Sequence, residues 1–457
     1  MKNIFTCLLL IFVHSGGFSQ LSAQDRSPNI VYILADDLGY GDLGSYGQAK
    51  IKTPHLDQMA EEGMRFTQHY AGNTVCAPSR VSLLTGKHPG NASMNGNGQG
   101  PIPDSDFTIA ELLKSIGYET AVIGKWGLGD PGSPGVPSNQ GFDQFYGFLN
   151  HIRAHNYWPD YIWSNQGRVE LPNEVVIVQE GYARGIGSYA NKKEVYVHDR
   201  FTEHALNFIG QERDTPFFLY LPYTIPHANN ERQPNGMEVP SDEPYSDKDW
   251  PQIEKNKAAM ITRMDKDIGR LLNKLKSLGL DQNTVVFFTS DNGPHQEGGV
   301  DPDFFDSNGP LRGIKRDLYE GGIRVPMIAW APGLIPAGTE SDHISAFWDM
   351  YPTIAELTGA SFDHHIDGIS MVPTLLGENE NQENHEYLYW EFDFWDGFRK
   401  AVRKGKWKAV QYNNQENSNA NIELFNLEID RAEQNNISDD HPDVLNMMQE
   451  IINKESD

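Results

Sequence analysis

The strongest constraint on the fold of this chain is a set of four short apolar runs, rich in β-branched and aromatic residues, that each lead to polar side chains. The runs are Asn29–Ala35, Thr120–Gly124, Phe217–Leu221 and Thr284–Ser290. Near-continuous runs of this kind are typical of strands that are buried on both faces. The polar residues that follow them are Asp36 and Asp37, Lys125, His227, and Asp291 and Asn292.

Helical patterns separate these runs. They cover Phe107–Ile116, Asp199–Ile209 and Gln252–Leu278, and the last carries an apolar stripe that stops before Gly279. Strands that alternate with helices predict an α/β fold with a layered sheet. Such sheets bind ligands beyond the carboxyl ends of their strands, so the four polar strand ends are expected to converge on one site.

Residues 1–23 have the features of a cleaved signal peptide. Lys2 precedes the apolar run Ile4–Val13, and small residues surround the end of the segment at Leu21–Ala23. A retained membrane anchor is the alternative, but the run is shorter than the roughly 20 apolar residues that a spanning helix needs. The sequence therefore predicts an exported protein, periplasmic or extracellular, with no membrane span after cleavage.

The rest of the chain divides into two predicted parts. Residues 24–380 are expected to form a large α/β domain, and residues 381–457 a small α+β subdomain. The elements expected in the second part are strands at Tyr387–Phe392, Arg399–Val402 and Trp407–Gln411 and a terminal helix at Pro442–Asn453.

The net charge narrows the choice of partners. The full chain carries −26 at pH 7, and loss of Lys2 with a signal peptide that contains no acidic residue changes this to −27. Nucleic acid and anionic membrane surfaces repel such a protein, so neither is expected as a partner. Any site for an anion must then be a local basic pocket.

The residues after the first and last runs offer hard oxygen ligands. Asp36, Asp37, Asp291 and Asn292 suit calcium, magnesium or manganese rather than zinc or copper. Either pair alone could simply cap a loop. Because both pairs end strands of one predicted sheet, the sequence predicts a metal site there.

Cationic side chains occur in the same set of loops. Arg80, Lys125 and Lys315 could hold a tetrahedral oxyanion together with a divalent metal. His227 could act as a general acid, since an imidazole titrates near working pH. A single lysine is usually solvated and most histidines only hydrogen-bond, so the inference depends on the whole set.

The chain has two cysteines, Cys7 in the predicted signal peptide and Cys76. An exported protein normally uses cysteines in disulfides, so a lone one is a free thiol. The ordinary role of a free cysteine is that of a small buried hydrophobic residue. Cys76, however, opens a segment with Pro78 and Arg80 that resembles the start of a helix, which is a place suited to anions.

Several segments carry the motifs of a known family. They are Asp36–Asp37, Cys76–Arg80 with Leu83–Gly86, Gly117–Trp126, Asp291–Gly293, Lys315–Arg324 and Glu423–Leu427. Together they resemble the type I, formylglycine-dependent sulfatases of the alkaline-phosphatase-like superfamily, in particular secreted bacterial carbohydrate sulfatases. The resemblance implies a large mixed sheet sandwiched by helices, with residues 24–380 as the catalytic domain.

The resemblance also implies a covalent route of sulfate-ester hydrolysis. A maturation enzyme would convert Cys76 to Cα-formylglycine, whose gem-diol attacks sulfur and gives a sulfated enzyme that then expels sulfate. The ligands implied for one calcium ion are Asp36, Asp37, residue 76, Asp291 and Asn292. The other implied roles are stabilisation of the diol by Arg80, neutralisation of sulfate by Lys125 and Lys315, and protonation of the leaving alcohol by His227 with Lys315.

The chain departs from the family pattern at one position. After Lys125 and Trp126 the family often has a histidine that assists the expulsion of sulfate, and here the residue is Gly127. His295 follows the predicted metal-ligand loop, so it is the substitute base on this hypothesis. His295→Ala would then allow a first sulfuryl transfer but block turnover.

Aromatic and polar residues in the loops suggest a sugar site, because flat apolar faces pack on sugar rings and directional donors bind hydroxyls. The candidates are His151, Arg153, His155, Asn156, Arg312, Trp390 and Trp395. The alternative is that the aromatics among them belong to a core. With the resemblance they indicate a sulfated carbohydrate substrate, and a galactan or carrageenan fragment with a 4-O or 6-O galactose sulfate is the expectation.

Two other functions stay open at this point. A phosphoesterase of the same superfamily would use the same arrangement of strand ends, although the residues Pro78 to Arg80 that follow Cys76 favour a sulfatase. A non-catalytic sulfoglycan-binding protein would leave Cys76 unconverted.

Overall fold

The computed structural model describes residues 27–394, 397–412 and 421–456. The predicted signal peptide, Cys7 and Trp395 lie outside the described residues. The strands are β1 (Asn29–Asp36), β2 (Met64–Tyr70), β3 (Glu119–Lys125), β4 (Gln144–Phe148), β5 (Tyr161–Ser164), β6 (Gly167–Glu170), β7 (Glu174–Ile177), β8 (Ser188–Lys192), β9 (Phe217–Pro226), β10 (Thr284–Ser290), β11 (Arg324–Trp330), β12 (Thr339–Ser341), β13 (Ser345–Ala346), β14 (Leu388–Phe394), β15 (Gly397–Lys404), β16 (Trp407–Tyr412) and β17 (Ile422–Asn426).

The helices connect and cover these strands. They are α1 (Pro54–Glu62), α2 (Cys76–Thr85), α3 (Ile109–Ser115), α4 (Val197–Ile209), α5 (Gln252–Ser277), α6 (Glu320–Ile323), α7 (Met350–Thr358), α8 (Val372–Leu375) and α9 (Pro442–Ser456). The three predicted helical patterns correspond to α3, α4 and α5, and each boundary agrees within two residues.

A large mixed sheet forms the centre of the molecule. In the described residues eleven strands belong to it, in the order β12-β2-β11-β10-β1-β9-β3-β4-β5-β6, with β13 also paired to β2. The five central strands, β10-β1-β9-β3-β4, are parallel, and antiparallel pairs extend the sheet on both sides. This arrangement confirms the α/β fold with a large mixed sheet.

The central strands alternate their side chains between two layers of helices, as a strand buried on both faces must. On β1, Val31 and Ile33 pack in the layer that contains α1, α4 and α5. Tyr32 and Leu34 pack on the opposite side, with α2, α3 and α7. Full burial of each such side chain contributes about 1.5–3 kcal/mol, so these faces hold the register of the central strands.

Helix α5 carries the apolar stripe that the sequence predicts, with one correction. Ile261, Ile268 and Leu275 are buried against the sheet. Leu278 does not continue the stripe, because it caps the helix and is 44 % exposed. The chain turns there at Gly279, whose φ of +66° suits a residue without a β-carbon.

A four-stranded antiparallel sheet, β14-β15-β16-β17, forms the small C-terminal subdomain. The sequence predicts three of these strands, and the structure adds β17. One face, with Ala401 and Val410, packs on the large domain. The other face, with Val402 and Ala409, is covered by α9 through Met448. The boundary at residue 381 stays a prediction.

The described part of the chain contains no helix whose length and apolar character would let it cross a membrane.

Candidate active site

The polar residues at the ends of four neighbouring strands meet at the carboxyl edge of the central sheet. Asp36 is the last residue of β1 and Lys125 the last of β3, whereas His227 and Asp291 directly follow β9 and β10. Because β10, β1, β9 and β3 lie side by side in parallel, their ends reach the same edge. The chain turns directly after β1, because the φ of +65° at Asp37 is incompatible with an extended strand.

Cys76 lies at the first position of α2, directly beneath this edge. Its Sγ is 3.5 Å from Oδ1 of Asp36 and 3.3 Å from Nζ of Lys125. Pro78 fits the first turn of the helix, where a backbone N–H has no intrahelical partner. The positive end of the helix dipole therefore faces residue 76 and favours negative charge there.

The Cys76 thiol is unsuited to nucleophilic catalysis as it stands. Burial raises its pKa well above the ordinary value, and the nearby ammonium of Lys125 only partly opposes this. The side chain is 3 % exposed. Since the thiolate is the nucleophilic form of cysteine, an unmodified Cys76 stays protonated and inert.

Arg80 fixes the loop after β10. Its Nε and Nη2 donate to Oδ2 of Asp291 at 3.2 and 2.9 Å, and its Nη1 donates to the carbonyl oxygen of Lys125. Ser79 Oγ donates to the backbone carbonyl of Asp291 at 2.6 Å. Two residues of the same helical turn thus hold Asp291 against the end of β3, which explains why this turn needs a hydroxyl and a guanidinium.

Carboxylates and one amide form a buried cluster beside Cys76. Asp291 Oδ1 accepts from the backbone N–H of Asp37 at 3.1 Å, and Asn292 Nδ2 donates to Asp37 Oδ1 at 2.7 Å. Burial, together with the charge of Asp36, raises the pKa of Asp291 to about 6. Although burial opposes it, Lys125 and Lys315 lower the pKa values of Asp36 and Asp37, so Asp291 is the carboxyl whose charge the cluster stabilises least.

The same cluster fits a hard divalent cation. Oδ1 of Asn292 is buried and has no hydrogen-bond partner among the described residues, although a buried polar atom normally has one. Asp36, Asp37, Cys76 and His227 each offer a ligand atom, all within 4.8 Å of one another. Carboxylate and amide oxygens are the donors that calcium and magnesium prefer.

His227 and Lys315 form a proton-sharing pair on the other side of the cluster. Lys315 Nζ lies 3.0 Å from Nε2 of His227 and 2.7 Å from Oδ2 of Asp37. His227 Nδ1 donates to the carbonyl of Ala228 at 2.7 Å, so Nε2 is the nitrogen that faces Lys315. Burial and the charge of Lys315 lower the pKa of His227 well below its ordinary value.

Lys315 keeps its charge despite burial. Burial alone would lower the pKa of its ammonium, but the carboxylates of Asp37 and Glu297 raise it well above the ordinary value. Glu297 lies 3.3 Å from Nζ and also pairs with Arg316. The pair with His227 thus holds one available proton next to the cavity.

A cavity of about 480 Å³ opens above these groups. Its lining combines cationic, polar and aromatic side chains, which is what a charged and hydroxylated ligand requires. The residues that line it are Val75, Cys76, Asn97, Gln99, Lys125, His151, His155, Glu180, Tyr182, Ala183, His227, Asn230, Glu231, Lys315, Arg316, Phe392 and Asp393.

Comparison with known proteins decides the family. A profile described as Sulfatase matches residues 28–360, and one described as N-sulphoglucosamine sulphohydrolase, C-terminal, matches residues 314–456. The canine N-acetylgalactosamine-6-sulfatase is 35 % identical over 401 residues, which are 81 % of this chain and 70 % of that protein. The chain belongs to the sulfatase family.

Another curated relative and a solved structure agree with this assignment. The rat steryl-sulfatase is 30 % identical and aligns over 90 % of this sulfatase and 81 % of its own length. The crystal structure of Ps i-CgsB in complex with k-i-k-neocarrahexaose is 31 % identical, with a TM-score of 0.78 and coverage of 94 % of this chain and 93 % of that one. This sulfatase is therefore a sulfuric ester hydrolase.

The predicted catalytic and metal-ligating residues lie together in the sulfatase, with one exception. Cys76, Lys125, His227 and Lys315 line the cavity. The residues buried directly behind them are Arg80, Asp36, Asp37, Asp291 and Asn292. Their roles stay predictions that the geometry supports.

His295 is the exception, because both of its ring nitrogens are engaged with the backbone. Nδ1 accepts from the N–H of Glu297 at 3.0 Å, and Nε2 lies 3.1 Å from the carbonyl of Pro226. The residue is 1 % exposed and does not line the cavity. No ring nitrogen is left to accept a proton, so we no longer propose His295 as the base.

The predicted sugar-binding residues are divided. His151 and His155 line the cavity, but Trp390 is fully buried, donates from Nε1 to the carbonyl of Ala71 at 3.0 Å and packs on Trp348. This position corrects the expectation for Trp390, which belongs to the core between the subdomain and the large domain.

The other three sugar-binding candidates do not line the cavity either. Asn156 is buried and bonds Ser188 and the backbone of Trp158. Arg153 pairs with Asp160, and Arg312 donates to the carbonyl of Glu433 at 2.8 Å. Each of them is paired within the protein and lies outside the cavity lining, so we no longer propose them as sugar ligands.

Sequence reasoning missed several residues of the cavity wall. Asn97, Gln99 and Tyr182 lie in loops that no spacing or strand end marks out. Glu231 orients the ring of His155, because Nδ1 of that histidine is 3.1 Å from both carboxylate oxygens. Only the folded chain brings these segments together.

Proposed function

We propose that this sulfatase hydrolyses sulfate esters on a sulfated glycan, and that its nucleophile is a formylglycine made from Cys76. The observation that carries the proposal is the placement of Cys76. It lies at a helix N-terminus between the carboxylate of Asp36 and the ammonium of Lys125, where its own thiol is inert. Charged groups and a helix N-terminus around a thiol that stays protonated are explained if residue 76 is converted to a group without sulfur.

The modified residue and a calcium ion would supply the parts that amino-acid side chains lack. A hydrated aldehyde at position 76 supplies a nucleophilic hydroxyl, and calcium bound by the cluster supplies positive charge against sulfate oxygens. The residues that would hold the ion are Asp36, Asp37, residue 76, Asp291 and Asn292.

The cationic residues of the chain then bind and orient the sulfate group. Lys125 pairs with Asp36, Lys315 pairs with Asp37, and both lysines line the cavity, so both can neutralise a sulfate that enters it. Arg80 stays behind residue 76 and holds the Asp291 loop in place. Fixed charges of this kind need no reorganisation as charge develops during the reaction.

The pair of His227 and Lys315 protonates the leaving alcohol. The proton is on Nζ of Lys315, 3.0 Å from the neutral Nε2 of His227, and on this proposal it reaches the leaving oxygen directly from Lys315 or by way of His227. Sugar hydroxyls are poor leaving groups without a proton, so this contribution is expected to matter most for a carbohydrate substrate.

The proposed substrate is a sulfated galactan or carrageenan fragment with a 4-O or 6-O galactose sulfate. The cavity wall supports a carbohydrate through Asn97 and Asn230 as hydrogen-bonding groups and Tyr182 as an aromatic face. Two relatives also support it, the N-acetylgalactosamine-6-sulfatase and the structure that contains k-i-k-neocarrahexaose. The proposal also includes a maturation enzyme that converts Cys76 and export of the sulfatase to the periplasm or the exterior.

Two measurements test the proposal together. Mass analysis of the tryptic peptide 66–80 is expected to show that Cys76 has lost its sulfur. Sulfate release is then measured on galactose 4-O- and 6-O-sulfates, carrageenan oligosaccharides, an aryl sulfate and matched phosphate esters. Release from aryl sulfate alone would contradict the glycan assignment, and faster cleavage of the phosphate esters would contradict the sulfatase reaction.

A further inference from the structure

Gly127 lies next to another histidine of the site, His151. A β-carbon on Gly127 would lie 3.4 Å from Cβ of His151 and 4.0 Å from its Cα. Gly127 has a φ of +76°, a conformation that residues with a side chain rarely adopt. A side chain at position 127 would therefore begin in contact with His151.

Strand pairing fixes the two positions relative to each other. β3 and β4 are parallel neighbours, with Lys125 beside Phe148. The ladder continues past their ends, because the N–H of Gly127 donates to the carbonyl of Leu149 at 3.1 Å. The next residue, Asn150, closes a turn when its side-chain Oδ1 accepts from the N–H of Ile152 at 2.9 Å. The strand ladder and this turn thus hold His151 beside Gly127.

We propose that His151 is the catalytic base that releases sulfate from the enzyme, in place of a histidine at position 127. The proposal rests on the proposed function. One oxygen of hydrated residue 76 carries the sulfate, and His151 takes the proton from the other hydroxyl. The O–H electron pair closes the aldehyde C=O, and the bond from that carbon to the sulfate oxygen breaks with its pair leaving on sulfate.

The surroundings of His151 suit this step. It lines the cavity together with Cys76 and Lys125. Burial, together with the charges of Lys125 and other cations, lowers the pKa of His151, so its imidazole is neutral at working pH. Tyr182 Oη is 3.4 Å from Nε2, and Tyr182 is 63 % exposed, which provides a route for the proton to solvent.

The other histidines of the site have different partners. His155 bonds Glu231 through Nδ1 and stacks on His227 with ring centres 4.7 Å apart, so it supports the leaving-group side. His295 has both nitrogens engaged with the backbone. Among the cavity histidines, only His151 combines a position next to Gly127 with a place in the wall around Cys76.

Single-turnover chemistry separates this role from the others. With excess aryl sulfate, His151→Ala is expected to release about one phenol per active site in a burst and then to turn over at least 100-fold more slowly than the wild type. Intact-protein mass spectrometry is expected to show the His151→Ala protein carrying one added sulfonate group, which the wild type does not accumulate. The aldehyde content of both proteins is measured first with a carbonyl-reactive probe.

A second variant guards against a purely structural effect. His151→Gln, which keeps a polar side chain at this position but removes the base, is expected to show the same burst and the same adduct as His151→Ala. The adduct in His295→Ala rather than in His151→Ala, or normal turnover by His151→Ala, would overturn the proposal. A wild type that bears the aldehyde but releases no sulfate would instead contradict the proposed function.

Discussion

Nζ of Lys315 lies 3.0 Å from Nε2 of His227, while Nδ1 of that histidine donates to its neighbour's carbonyl. On the proposed mechanism this pair supplies a proton to the leaving group, which leads to the first prediction. His227→Ala is expected to lower kcat/KM for a sugar sulfate by ~10²–10⁴, since general acid catalysis contributes about that much. The loss for an aryl sulfate with an acidic phenol is expected to be much smaller. Steady-state kinetics on both substrates check this, and equal losses would contradict the role.

The unpartnered amide oxygen of Asn292 predicts stabilisation by calcium. In the Cys76→Ala protein, which cannot turn over, saturating Ca²⁺ at about 100 times its Kd is expected to add about 2.7 kcal/mol of stability. Asn292→Ala, which removes a ligand atom, is expected to shift the calcium dependence of Tm to higher concentration. Thermal unfolding after chelation and with stepwise addition of Ca²⁺ measures both. A Tm that Ca²⁺ leaves unchanged would argue against the metal site.

Arg80 is predicted to be essential for stability as well as for the site. Arg80→Ala leaves Asp291 buried without its charged partner, and such a loss typically costs about 3–5 kcal/mol. Arg65→Ala is the matched control, because the Arg65 pair with Glu340 is partly exposed and contributes less than about 1 kcal/mol. Urea unfolding of both variants is the measurement. Similar losses in the two would contradict the difference in burial on which the prediction depends.

Trp390 is predicted to stabilise the fold without binding substrate. Trp390→Ala removes a fully buried side chain between the two sheets and is expected to cost about 3–5 kcal/mol of unfolding free energy. Phe398→Ala in the same subdomain serves as the control, since Phe398 is 45 % exposed. KM for the sulfated sugar is expected to stay within a factor of two in the folded Trp390→Ala protein. A large rise in KM with little change in stability would instead support a role of Trp390 in sugar binding.

The raised pKa of Glu433 predicts that the free energy of unfolding depends on pH. Burial raises its pKa to about 7, with a further contribution from the charge of Glu320, although Lys408 opposes the shift. The folded chain therefore binds this proton more tightly than the unfolded chain, so its contribution to stability is lost as pH rises from about 4 to 7. Glu433→Gln is expected to flatten that part of the profile, whereas exposed Glu428→Gln leaves it unchanged. Chemical unfolding at several pH values compares the three proteins.

Local sequence was a good guide wherever burial on both faces dictates residue type. The run Asn29–Ala35 and its three counterparts became neighbouring strands, and the polar residues after them reached one edge. The helix over Gln252–Ser277 followed from its apolar stripe in the same way. These predictions succeeded because hydrophobic periodicity reports burial, and parallel strands place their ends together.

Side chains on mixed surfaces were harder to assign. Trp390 and Phe392 share one face of β14, yet Trp390 is enclosed by Tyr70 and Trp348 whereas Phe392 also reaches the cavity wall. Aromatic residues suit a core and a sugar site equally well. Alternation along a strand identifies the face of a side chain but not what packs against that face.

The sequence by itself determined the layered α/β fold, the strand ends that carry the carboxylates and cations, and the family to which Cys76–Arg80 points. Only the tertiary structure decided which histidine lies beside Gly127. His295 is close to the metal-ligand loop in sequence but is bound to the backbone, whereas His151 reaches Gly127 from 24 positions away because β3 and β4 pair in parallel. Chain proximity fixes neither the direction of a side chain nor its hydrogen-bond partners, and those are set by the packing of distant segments.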